Sequence, residues 1–156
     1  MVREMAKGKI VLASGTFDLL HLGHVKYLEA AKKAGGENAK LVVIVARDGI
    51  VERRKGGKPV MPEDQRRALV EALKVVDEAV LGYEDLNIGK VIEKIKPDII
   101  AVGYDREDLE REVRRFIRER GLNIEVVKIG QFGKDELNST SKIKRKIVED
   151  YQRRRS

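Results

Sequence analysis

Five short apolar runs separated by stretches of helical periodicity constrain this chain more than any other feature. The runs lie at residues 9–14, 41–46, 78–82, 98–103 and 124–129, and most are rich in Val and Ile. Between them, Val25, Leu28, Ala31 and Ala34 recur at helical spacing. The segment Pro62 to Lys74 opens with Pro and acids, as a first helical turn does, and carries Leu69, Val70 and Leu73 toward a core. Further helices are expected near 87–95, 106–120 and 139–151. Strands that are apolar along their whole length need cover on both faces, and strand–helix alternation supplies it. The sequence therefore predicts an α/β fold, a five-stranded parallel sheet with helices on both faces, in one domain whose core spans about residues 9–150.

In such sheets ligands bind outside the carboxyl ends of the strands, where the strand order reverses. The first strand ends at Gly15-Thr16-Phe17-Asp18, the second at Arg47-Asp48, the fourth at Gly103-Tyr104-Asp105, and the fifth leads toward Asn138-Ser139-Thr140-Ser141. All four sets can meet in one cleft. The chain's two histidines, His21 and His24, open the first helix, where unpaired backbone N–H groups and the positive dipole end favour anions. Leu22 and Gly23 lie between them, and Gly23 lets a large group approach the backbone.

Around this start, Thr16 offers a hydroxyl to phosphate oxygens, and Phe17 is either a ligand contact or a core plug. Asp18 reads as structural, because a carboxylate beside a triphosphate is repulsive. Ser139, Thr140 and Ser141 supply hydroxyls and backbone donors at the last helix start, with Ser139 also a good N-cap. The stretch Arg53 to Pro59 reads as a mobile cationic loop, either a solvated connection or a phosphate contact through Lys55. Arg66 either meets phosphate or pairs with a carboxylate. Asp48 and Asp105 are candidates for recognising substrate and nucleotide hydroxyls, each with a helix cap as the alternative. The H-x-x-H spacing lacks a nearby third ligand and the chain has no Cys, so no metal site is expected.

Composition narrows the classes. With 156 residues and 42% hydrophobic content, one domain has enough material for a core. The first nine residues lack a signal peptide's apolar stretch and no run approaches membrane-spanning length, so a cytoplasmic protein without a membrane partner is expected. The net charge of +7 could suggest nucleic acid, but 33 basic residues are interspersed with 26 acidic ones. The clearest block of one sign, Arg153-Arg154-Arg155, reads as a solvated tail, with no aromatic stacking platform beside it, so no nucleic acid is expected. Charge at 38% without Cys or Trp resembles a thermophile's composition. There is no G-x-x-x-x-G-K-[ST], G-x-G-x-x-G or H-E-x-x-H, which disfavours a kinase, a dehydrogenase and a zinc hydrolase. A homodimer is the expected assembly, although the sequence does not determine it.

The run Gly15-Thr16-Phe17-Asp18 with His21-Leu22-Gly23-His24 resembles the signature of the nucleotidyltransferase superfamily that includes glycerol-phosphate cytidylyltransferases, heptose-phosphate adenylyltransferases and archaeal FAD synthases. The Ser139 to Ser141 helix start resembles that superfamily's second signature, which holds the β- and γ-phosphates. Lys55-Gly56, Pro59, Pro62 and Gln65-Arg66 resemble a recurring family stretch, and Gly103 to Asp105 a nucleotide-contacting turn. The resemblance extends from Gly15 to Lys144. It implies a Rossmann-like domain with Thr16, Phe17, His21, Leu22, Gly23, His24, Lys55, Asp105 and Ser139 to Ser141 around ATP. It also implies His21 and His24 as catalytic groups at the α-phosphate, and Asp48 and Arg66 beside the acceptor.

At Ile44 to Asp48, Lys55 to Arg67, Val70 to Asp77 and Leu81-Gly82 the chain is most similar to the archaeal ATP:FMN adenylyltransferases. Heptose-phosphate adenylyltransferases and glycerol-3-phosphate cytidylyltransferases are the competing enzymes, and a nucleotide- or RNA-binding module without turnover is the alternative that is not an enzyme. The implied substrates are ATP and FMN, with a divalent cation, Mg2+ by default, bridging the ATP phosphates. An isoalloxazine ring needs an apolar recess, which Ile50, Val51, Val60 and Met61 are expected to line. Those adenylyltransferases can carry cysteines near the C-terminus; this chain has none, so no thiol-dependent property carries over.

Overall fold

The apolar runs become the strands expected of them. In the computed structural model, which describes residues 8–85, 87–133 and 137–156, these are β1 (Ile10–Gly15), β2 (Lys40–Val45), β3 (Glu78–Leu81), β4 (Ile99–Gly103) and β5 (Glu125–Ile129). They form one parallel sheet in the order β3-β2-β1-β4-β5, in register from Ile10↔Lys40 to Gly15↔Val45 and, on the other side of β1, from Val11↔Ile99 to Ala13↔Ala101. The chain thus winds outward from β1 in one direction and then restarts at β4 on the opposite side. The crevice between the carboxyl ends of β1 and β4 is where such a sheet binds its ligand.

The helices are α1 (Leu22–Ala34), α2 (Asp48–Lys55), α3 (Glu63–Glu71), α4 (Ile88–Ile95), α5 (Glu107–Arg120) and α6 (Thr140–Arg155). Alternate strand residues divide the core. Val11, Ala13, Leu41, Val43 and Ala101 pack with Leu28 and Ala31 of α1 and Val70 of α3, whereas Leu12, Val42, Ile100 and Val102 meet Ile92 of α4 and Val113 of α5. Each fully buried Leu or Val contributes about 1.5–3 kcal/mol. That burial sets which helix covers which face.

Three expectations need correction. Residues 48–55 form helix α2, so Arg53 to Lys55, expected at the start of a mobile loop, are helical. Their polar sequence shows little helical stripe, with Ile50 and Val51 its buried pair, and the helix is closed by Gly56 in the left-handed region at φ 80°. The connecting segment is therefore only 56–62, and Lys55 sits on a helix. Arg153-Arg154-Arg155, expected as a tail, continue α6, although they stay exposed. Asp105 does not cap α5, whose N-cap position is Arg106. Residues 1–7, read for a leader, lie outside the described residues, and no helix among the described residues is long and apolar enough to cross a membrane.

Candidate active site

The turn from β1 into α1 is backbone-strained and held from three sides. Phe17 and Leu19 have φ of 56° and 51°, a left-handed conformation that costs a residue with a side chain about 1–2 kcal/mol. The surroundings hold it there. The Asp18 carboxylate accepts the backbone N–H groups of Val60 (2.7 Å) and Met61 (2.9 Å), the Thr140 hydroxyl donates to the Asp18 carbonyl (2.7 Å), and Arg66 Nη1 donates to the Thr16 carbonyl (2.7 Å). Asp18 is buried and structural, as its charge suggested, though it anchors the 56–62 connection instead of capping a helix. Phe17 is a core residue whose ring edge meets His24, with centroids 5.4 Å apart.

Arg66 and Asp48 form a bracket beneath this turn. Arg66 is 0% exposed, and besides its bond to Thr16 it donates to the Met61 carbonyl (2.9 Å) and to Asp48 Oδ1 (2.6 Å). Asp48 also accepts from the Glu63 N–H (3.4 Å) while Glu63 accepts from the Asp48 N–H (2.8 Å), so α2 and α3 cap one another. Arg47 joins them through Glu63 (3.0 Å) and the Gly82 carbonyl (2.9 Å). A contact of Arg66 with acceptor or phosphate is not what this geometry provides, because a fully enclosed guanidinium engaged with three protein oxygens presents no face to a ligand. The carboxylate-pairing alternative is the one realised.

His21 and His24 stack with ring centroids 3.7 Å apart and planes 25° from parallel. His21 occupies the N-cap of α1, and its backbone N–H donates to His24 Nδ1 (3.2 Å). A neutral His24 accepting at Nδ1 carries its proton on Nε2, which leaves an N–H donor on the ring. Burial lowers the His24 pKa from 6.5 to about 3, helped by the neighbouring His21 and Lys55 charges and opposed by Asp18. Burial also lowers His21. Both imidazoles are therefore neutral donors at pH 7 in the ligand-free protein. His21 Nδ1 is buried without a hydrogen-bond partner among the described residues. A Cβ at Gly23 would come within 2.8 Å of the Asn138 carbonyl oxygen and 2.9 Å of the His21 ring. The close approach that Gly23 permits is thus made by the chain itself, docking the start of α1 against the segment before α6.

These groups line one cavity of about 910 Å3 at the crevice, ample for a nucleotide. Thr16, Phe17, His21, Gly23, His24, Lys55, Asp105, Ser139, Thr140 and Ser141 are on its wall; Leu22, Asp48 and Arg66 are not. Lys55 Nζ (3.4 Å) and Arg54 Nη2 (3.3 Å) both approach the Thr16 hydroxyl. Among the described residues neither has a carboxylate within ion-pair distance, and burial lowers the pKa of both. Both side chains are exposed, and the Asp105 carboxylate opposes the lowering in each. The Ser139 hydroxyl accepts from Lys142 N–H (3.3 Å) and keeps its own proton to donate. Thr140 has given its single hydroxyl proton to Asp18, so toward phosphate it has only its backbone N–H.

Arg54 and Arg106 belong to this wall and were missed, although each adjoins a residue that was named. The apolar recess expected of Ile50, Val51, Val60 and Met61 does not form in that way. Val51 is buried inside, Val60 is 60% exposed, and of the four only Ile50 lines a second cavity. Among the described residues there is no cluster of three or more His, Cys, Asp or Glu able to hold a metal ion.

Phosphate-directed donors at the switch point of an all-parallel sheet define a nucleotide-binding α/β protein. Residues 12–146 match the model of the Cytidylyltransferase-like family, and the chain belongs to that family. It is 50% identical over 139 residues to a FAD synthase of Aciduliprofundum boonei, covering 89% of this chain and 90% of that protein. It is 54% identical over 140 residues to a FAD synthase of Ferroglobus placidus, covering 90% and 88%. Among solved structures, a lipopolysaccharide core biosynthesis protein from Thermoplasma volcanium superposes with a TM-score of 0.72 at 42% identity, over 81% of this chain and 99% of that one.

Proposed function

We propose that this protein is a FAD synthase, transferring AMP from ATP to FMN and releasing pyrophosphate. The observation that carries the reading is identity near one half, over about nine tenths of both chains, to proteins named FAD synthase. The cavity supports it, because its donors suit a triphosphate.

In this reading a phosphate oxygen of FMN attacks the α-phosphorus of ATP in line, a new phosphoanhydride bond forms, and the bond to the β-phosphate oxygen breaks. His24, through Nε2–H, and His21 stabilise the charge that develops on the α-phosphate oxygens, while Lys55 and Thr16 orient them. The α6 N-terminus, with Ser139 and Ser141, holds the departing pyrophosphate. Asp105, exposed beside Gly103, receives nucleotide hydroxyls in this reading. The described residues offer no metal cage, so Mg2+ belongs to this proposal only as the partner with which ATP arrives. The same reading takes the chain as one cytoplasmic domain with its core at about 9–150. It also takes a homodimer, for which α6 is the support, since it has no buried residue and exposes Ile147, Val148 and Tyr151.

The test is chromatography after incubation with ATP, Mg2+ and FMN, in which FAD and pyrophosphate appear in equal amounts. Adenylylation of a heptose phosphate with FMN untouched would refute the acceptor and keep the family chemistry.

A further inference from the structure

A second cavity opens on the other side of the β1 tip. It is walled by Ile44, Ala46, Ile50, Val91 and Leu109, with Tyr83 at the loop after β3. It shares Ser14, Gly15, Arg54 and Arg106 with the nucleotide cavity, so one wall carrying two guanidinium groups separates the two spaces. Its volume is about 110 Å3, room for one end of a flat ring system whose remainder lies at the open mouth.

We infer that this second cavity seats the apolar end of the acceptor's ring, with Tyr83 against the ring face and Arg54 and Arg106 receiving the acceptor's phosphate at the shared wall. The inference rests on the FAD synthase reading and adds where, and by which side chains, the flavin is selected. Three observations converge on it. Ile44, Ala46, Ile50, Ile88, Val91 and Leu109 give the cavity an aliphatic wall that a benzenoid edge fills favourably, with Arg47, Asp85, Asn87 and Glu112 its further polar lining. Arg54 has no carboxylate within ion-pair distance among the described residues and lines the shared wall with Arg106, whose own partner is Asp108 (3.1 Å). Two guanidinium groups on one wall suit an anionic phosphate. The wall also adjoins Gly15 and Thr16, so a phosphate on it lies next to the space that the histidines line, which an acceptor oxygen must reach to attack.

Ala46→Phe fills the cavity and Tyr83→Leu removes its aromatic face. For Ala46→Phe the expected result is a KM for FMN raised about tenfold or more with the KM for ATP within about twofold. ATP-induced thermal stabilisation reports that the fold and the nucleotide site are intact. Wild-type protein should quench FMN fluorescence on binding, and Tyr83→Leu, at a partly exposed position that does not threaten folding, should relieve the quenching. Should Ala46→Phe not fold, Tyr83→Leu alone decides. An unchanged FMN KM in folded Ala46→Phe, or full quenching with Tyr83→Leu, overturns the assignment. If wild-type protein makes no FAD yet quenches FMN in a Tyr83-dependent way, the seat stands and the proposed reaction falls. If it neither makes FAD nor quenches FMN, both fall.

Discussion

His24 shows how a residue's environment decides its chemistry. Sequence places an imidazole at a helix start, where it could be a cation; stacking on His21 and burial hold it neutral and direct one N–H outward. A neutral donor costs less to bury than an imidazolium and still stabilises charge that appears only in the transition state. His24→Ala should lower kcat by an amount equivalent to about 2–4 kcal/mol of barrier while leaving the folded protein intact. Near-normal turnover of the folded variant in a pyrophosphate-release assay would remove His24 from the mechanism. At this scale much of the wall was legible, because Gly15, Thr16, His21, Gly23 and His24 are adjacent in sequence. Arg54 and Arg106 were not, because nothing local separates a site arginine from the many surface ones.

Among elements, the pairing of α2 with α3 decides the shape of the turn between β1 and α1. Their N-termini exchange the Asp48 and Glu63 carboxylates, and Arg66 passes beneath to fasten the Thr16 carbonyl. The left-handed Phe17 and Leu19 persist because this bracket and Thr140 restrain the turn between them. Arg66→Ala strands the Asp48 carboxylate and two carbonyl acceptors around a void, and should cost about 3–5 kcal/mol in chemical denaturation. A loss below about 1 kcal/mol would show that the bracket is dispensable. Sequence pattern placed α3 but missed α2, since eight mostly charged residues have little apolar stripe to betray a helix.

For the whole molecule, the histidine site links stability to pH. The folded protein holds His24 near pKa 3 against 6.5 in the unfolded chain, so between those values the unfolded state binds more protons. Stability is therefore unaffected by this group above pH 6.5 and declines as pH falls from there toward 3, by up to about 1.4 kcal/mol per pH unit for one proton. His21, also lowered, adds to the same slope. Denaturation of ligand-free protein across that window should show the decline, and His24→Gln should flatten it; equal slopes for both proteins would contradict a buried neutral His24.

The strand–helix alternation and the continuous apolar runs determined the parallel sheet, since each run of β-branched residues needs two covered faces wherever it lies. The sequence also determined that the histidine helix start follows the carboxyl end of β1, because helix N-termini and strand ends are local features. What only the tertiary structure decided is which charges remain available. Arg66 was drawn into the interior by acceptors 50 and 18 residues away, Thr140 spent its proton on a carbonyl 122 residues away, and Arg54 was left on a cavity wall beside the Thr16 hydroxyl. Such assignments depend on distances between segments remote in sequence, and no local periodicity encodes them.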